Sequence, residues 1–107
     1  MVPYHHNVYV VELDPSVRGD RRFAKANPGC STRLPCLYVG LTGLTPEERF
    51  ARHKAGVQDS CIVKRYGLRL LPEMYEYLNP MPYEAAVEME GDLAEELRVA
   101  GHGVWQH

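Results

Sequence analysis

No stretch of this sequence approaches the twenty consecutive apolar residues that a membrane-crossing helix requires, so no membrane span and no membrane partner are expected. The N-terminal segment MVPYHHNVYVV also lacks a basic stretch followed by an unbroken apolar run, so a secretory signal is not expected either. Cysteine is scarce and odd in number. Cys30, Cys36 and Cys61 cannot build a complete disulfide framework, and their use fits a reducing, cytoplasmic setting. Five residues separate Cys30 from Cys36, looser than zinc-finger spacing, which leaves a zinc centre from these thiols and a histidine as a minor alternative to ordinary thiols. Strong charge of one sign is missing as well: the formal net charge is −2, which offers nucleic acid no global attraction.

What is present is a chain of 107 residues, 45% of them hydrophobic, enough for one modest core and too few for two. One domain spanning 1–107 is expected, without internal repeats. Its charge is sharply divided. Residues 18–33 carry Arg18, Arg21, Arg22, Lys25 and Arg33 against Asp20. Residues 47–69 carry Arg49, Arg52, Lys54, Lys64, Arg65 and Arg69 against Glu47, Glu48 and Asp59. Beyond residue 72 acids dominate, with Arg98 the only strong base. Such a split can present a cationic face to phosphates on a globally acidic protein, or it can simply solvate and pair the surface.

NVYVVEL (7–13) reads as a half-buried strand, rich in β-branched and aromatic residues. PCLYVGLTG (35–43) reads as a second strand. Between them, 14–35 holds three prolines, two glycines and many charges, and is expected to be a long loop or a short helix. Thr45, Pro46 and Glu48 form a helix-start signal with a capping box, predicting a helix from Pro46 to Ala55 that stops at Gly56. Arg49 and His53 stand four apart and share a face of it. CIVKRYGLRLL (61–71) suits a strand or a short helix leading into extended chain, with Tyr66 and Gly67 at a turn. Residues 74–82 read as a connector, with Asn79 as a turn residue. Tyr83 to about Ala100 is strongly helical, and GVW (103–105) is a candidate edge strand, with Trp105 as a lid on the core.

On the wheel of that last helix, Glu90 falls only about 20° from Leu97, at the border of the apolar face formed with Ala86, Met89 and Leu93. A carboxylate there is costly unless something pairs with it. A bound cation, an arginine, or a bend outward to water each answers that demand.

Taken together, Asn7-Val8-Tyr9, Tyr38-Val39-Gly40, Thr42, Arg49, His53 and the Ala86-x-x-x-Glu90-x-x-Leu93 helix resemble the GIY-YIG nuclease family. The likeness covers most of 7–105 and leaves 14–35 outside it, since the two tripeptides lie much further apart than the family's usual short hairpin. The resemblance implies an α+β (α/β) fold with a small three-stranded, mostly antiparallel sheet flanked by helices. It implies a metal-dependent endonuclease that hydrolyses phosphodiester bonds, more in DNA than in RNA. Glu90 matches the family's sole protein ligand to Mg²⁺ or Mn²⁺, a hard ion that keeps water and phosphate oxygens around it. Tyr9 or Tyr38 matches the tyrosine that activates water, a role that requires a cationic neighbourhood to favour phenolate. Arg49 matches the group that grips the scissile phosphate, and His53 one that orients the water or a tyrosine. Gly40 is expected in a structural role, and Arg52, Lys54, Lys64 and Arg65 as contacts to the nucleic-acid backbone. The family's late asparagine or histidine has only His102 and His107 as candidates. Sequence preference is expected to be weak unless the 14–35 segment, a recruiting protein partner or a homodimer supplies it. The alternative is a nucleic-acid-binding or protein-interaction module that keeps the fold with little or no catalysis.

Overall fold

The computed structural model describes residues 4–56 and 61–106. It has an α+β fold built on a four-stranded sheet rather than the three strands implied by the resemblance. Strand β1 (Asn7–Leu13) pairs antiparallel with β2 (Cys36–Thr42), in a register running from Asn7 opposite Thr42 to Leu13 opposite Cys36. On the other side of β1 lies β3 (Gly67–Leu70), also antiparallel. The fourth strand, β4 (Val104–Gln106), pairs with β2 in parallel. The candidate edge strand near the C-terminus is therefore real, and the sheet order is β3-β1-β2-β4.

Directly opposed residues share a sheet face and alternate residues change face. Tyr9, Val11 and Leu13 thus lie on one face with Gly40, Tyr38 and Cys36, while Val8 and Val10 lie on the other with Leu41 and Val39. Val8, Tyr9, Val10 and Val11 are all buried, so β1 is covered on both faces and not half-buried as its composition suggested. Val, Tyr and Leu on both sides of a central strand account for that burial.

The 14–35 segment folds. Asp14 caps a 3₁₀ turn (Pro15–Gly19), accepting from the Ser16 N–H at 2.9 Å. Asp20 caps helix α1 (Arg21–Ala26) by accepting from Arg22 and Phe23 N–H. Val17 and Phe23 bury into the core. Asn27 then ties the segment to the sheet: its Nδ2 donates to Phe23 O, and its Oδ1 accepts from Val104 N–H at 2.8 Å. A charged, proline-rich stretch joins the core here because two aspartates fix the helix starts and two apolar side chains supply the buried face.

Helix α2 (Pro46–Ala55) has the capping box in full, Thr45 Oγ1 accepting from Glu48 N–H and Glu48 accepting from Thr45 N–H, and ends at Gly56 with φ of 81°. Residues 61–71 combine the two open alternatives, helix α3 (Cys61–Tyr66) running directly into β3. Past β3 the chain runs beside β1 through two 3₁₀ turns, Pro72–Met74 and Glu76–Leu78. Helix α4 (Tyr83–Val99) then packs against β2, β4 and, less extensively, β1, burying Ala86, Glu90, Leu93 and Ala94. Trp105 packs partly buried against the core. No helix of the described residues is long and apolar enough to cross a membrane.

Candidate functional site

The site grows from one register pair. Tyr9 faces Gly40 across the β1–β2 ladder, and Tyr38 sits on the same face one diagonal away. A Cβ at Gly40 would stand 2.8 Å from Cζ and Oη of Tyr9 and 2.9 Å from Cε1 of Tyr38. The absent side chain is what lets the two phenol rings close over the strand, with centroids 6.0 Å apart.

Helix α2 delivers the third ring. The capping box fixes where the helix begins, and eight residues after the cap His53 arrives above Tyr9 with its Nε2 2.8 Å from the Tyr9 hydroxyl oxygen. The imidazole also meets Tyr38 edge-on at 5.7 Å. Tyr9, Tyr38 and His53 are each only 1% exposed, so their mutual contacts form away from bulk water.

Arg49, one turn earlier on α2 and half-buried, acts on Tyr9. Burial pushes the Tyr9 phenol well above the ordinary tyrosine value, the Tyr38 phenol adds to the rise, and the Arg49 guanidinium opposes it without prevailing. Tyr9 is consequently a neutral phenol at pH 7. The cationic neighbourhood expected to favour phenolate is present, but desolvation outweighs it.

Glu90 is buried on the inner face of α4, the only acidic residue among the described residues to be buried. The wheel put it at the apolar border, and the packing of α4 places it inward. No group of three His, Cys, Asp or Glu side chains among the described residues is arranged to hold a metal ion. Cys30 is half-buried, Cys36 buried and Cys61 exposed on α3. A hydrated Mg²⁺ or Mn²⁺ needs no such cluster, and a single hard carboxylate such as Glu90 is a chemically suitable protein donor for it.

The four basic residues expected to meet a nucleic-acid backbone divide. Arg52 is exposed on α2, and Lys64 and Arg65 are exposed near the end of α3. Arg65 lies 5.6 Å over the Tyr66 ring. Lys54 is partly committed to the fold, its ammonium donating to Gly67 O at 2.9 Å and Lys64 O at 3.1 Å. Lys54, Arg65 and Tyr66 line an open cavity of about 560 Å³ that also receives Asp14 and Ser16. His102 sits apart from the aromatic cluster, its Nδ1 2.8 Å from Pro35 O, and His107 lies outside the described residues.

Sequence reasoning reads Asn79 as a turn residue and misses its pairing with β1. Its amide bonds the backbone of Val8 in both directions, Oδ1 accepting from Val8 N–H at 2.9 Å and Nδ2 donating to Val8 O at 2.7 Å. The side chain thereby imitates a neighbouring strand where β3 has ended, one residue before Tyr9. Only knowledge that residues 71–81 run beside β1 distinguishes this from an ordinary turn asparagine.

Comparison with protein-family models, curated proteins and solved structures yields no match for this chain.

Proposed function

We propose that this chain is a divalent-metal-dependent endonuclease of GIY-YIG type, hydrolysing phosphodiester bonds in nucleic acid, DNA in preference to RNA. The observation that carries the reading is the Tyr9–His53 hydrogen bond, packed against Tyr38 over Gly40 and within the field of Arg49. Five of the residues on which the family resemblance rests, Tyr9, Tyr38, Gly40, Arg49 and His53, meet in one cluster, and Glu90 is buried on α4.

The chemistry follows from the protonation state. A neutral Tyr9 is not a standing base, but its oxygen can take a proton from water as its own proton passes to His53 Nε2. That relay requires the tautomer with Nε2 unprotonated, in which the Tyr9 O–H is the donor. His53 then holds the proton as an imidazolium. Arg49 serves as a donor to the phosphate, since a guanidinium presents paired N–H groups to two oxygens. Glu90 is the residue that would hold Mg²⁺ or Mn²⁺, and that ion, when bound, supplies positive charge against the oxygens of the phosphate.

The test is incubation with plasmid, branched DNA and structured RNA in Mg²⁺ or Mn²⁺, beside Glu90→Gln and Tyr9→Phe. Cleavage abolished by chelation and by either substitution is expected. Full activity in Glu90→Gln removes the metal assignment. The near-complete burial of both phenols favours a second reading, a nucleic-acid-binding or protein-interaction module without efficient catalysis. Binding without cleavage across these substrates and ions selects it.

A further inference from the structure

Between the start of α2 and the 72–80 connector lies a cleft of about 280 Å³, on different residues from the Tyr9–His53 cluster. Three proline rings, Pro46, Pro72 and Pro80, give it apolar walls, and the Tyr75 ring adds to them. Glu47 and Glu76 supply its charge, and both are exposed. No basic side chain of the described residues lines it. Tyr75 is only 2% exposed, yet its hydroxyl oxygen has no hydrogen-bond partner among the described residues. A buried orphan hydroxyl is a cost that a folded protein rarely carries without reason. Tyr75 lines the cleft together with Glu47 and Glu76, and burial followed by the charges of Glu47, Glu76 and Glu73 raises its phenol.

We propose that this cleft is a docking site for a basic side chain, a guanidinium on its alkyl stem, presented by a partner polypeptide. Each part of the guest has a counterpart. The stem lies against proline and tyrosine rings, and the cation meets two carboxylates with a tyrosine oxygen beside them. A nucleic-acid backbone is excluded by like charge, in contrast to the cavity that Lys54 and Arg65 line. At about 280 Å³ the cleft falls just short of the usual range for small-molecule sites, about 300–1,000 Å³, and suits one anchoring side chain. The surface around it continues past that single hole: Tyr77, next to Glu76, is 77% exposed and offers an aromatic contact to the chain that carries the anchor. This site does not depend on the nuclease reading, and it survives or falls separately.

The test uses the ¹⁵N-labelled full chain with three probes: a glycine peptide carrying one central arginine, the same peptide with citrulline, and N-acetylarginine amide. The arginine peptide is expected to shift the resonances of Glu47, Tyr75 and Glu76 saturably, and the citrulline peptide to leave them in place. Combined Glu47→Gln and Glu76→Gln substitution is expected to weaken binding at least about tenfold. Tyr75→Phe should weaken binding while leaving thermal stability equal or higher, because the lost hydroxyl bonds nothing within the fold. Equal binding of the citrulline peptide overturns the ionic assignment. Equal binding of N-acetylarginine amide overturns the polypeptide source, and absence of any shift at millimolar peptide overturns the site. Self-association of the unliganded chain in sedimentation, with these same resonances moving on dilution, would instead make the cleft an interface between copies.

Discussion

Asn79 and Val8 are joined by two hydrogen bonds, 2.9 and 2.7 Å long, although seventy-one positions separate them in the chain. The pair holds β1 against the connector at the residue preceding Tyr9, so strand register and the position of the phenol are set together. Asn79→Ala strands the Val8 N–H and C=O in a part-buried place, at a cost of about 2–4 kcal/mol for two such groups. Chemical denaturation measures it. Asn79→Asp keeps the acceptor and loses the donor, and should fall between the alanine variant and the parent.

Gly40→Ala places a methyl group where the Tyr9 and Tyr38 rings already sit. Overpacking of this kind costs about 1–3 kcal/mol, and the near-ultraviolet circular dichroism of the tyrosines should change with it. A variant as stable as the parent, with an unchanged aromatic spectrum, would show that the rings are not in contact with this glycine.

Lys54→Met keeps the length of the side chain and removes the ammonium that bonds the carbonyls of Lys64 and Gly67. A loss of about 1 kcal/mol is expected. Hydrogen exchange should rise first at the α3–β3 junction, where those carbonyls lie. If exchange there is unchanged, the lysine is not holding the junction.

Alkaline pH acts on two phenols. Burial, with the Tyr38 phenol adding to it, raises Tyr9, while burial and nearby glutamates push Tyr75 up to about 12. Below about pH 10 the folded and unfolded chains hold these protons equally, and the contribution to stability is fully present. Above that the unfolded chain releases them while the folded chain retains them, so stability falls as pH rises. For Tyr75 the contribution is gone once pH passes its folded value. Tyr75→Phe should therefore lose less stability between pH 10 and 12 than the parent in parallel denaturation series. Identical pH slopes would contradict the raised value.

The legible parts of this fold were those written in local chemistry. The β1 and β2 segments announce themselves by composition, Thr45-Pro46 with Glu48 specifies where α2 begins, and the spacing of Ala86, Glu90 and Leu93 marks the inner face of α4. Tyr9, Tyr38, Gly40 and His53 are legible in the sequence and stand together in space, while Glu90, which the wheel leaves at the apolar border with a turn outward to water open, is buried. What escaped was set at a distance. GVW is legible as a strand, but its parallel pairing beside β2, which makes the sheet four-stranded, is not written in three residues. The 14–35 segment reads as a long loop or a short helix, and the short helix is α1, but nothing local shows that Val17 and Phe23 carry the segment into the core. The neutral state of Tyr9 depends on burial that a basic neighbourhood in the sequence does not reveal.

Val104 binds Asn27 through its amide, and β4 lies beside β2, so the last strand completes contacts begun near the first quarter of the chain. A polypeptide emerging from the ribosome cannot finish this sheet until Val104–Gln106 are free of the exit tunnel. Until then the outer edge of β2 offers unpaired amides to whatever lies nearby. Loss of Val104–Gln106 would leave that edge of β2 permanently open.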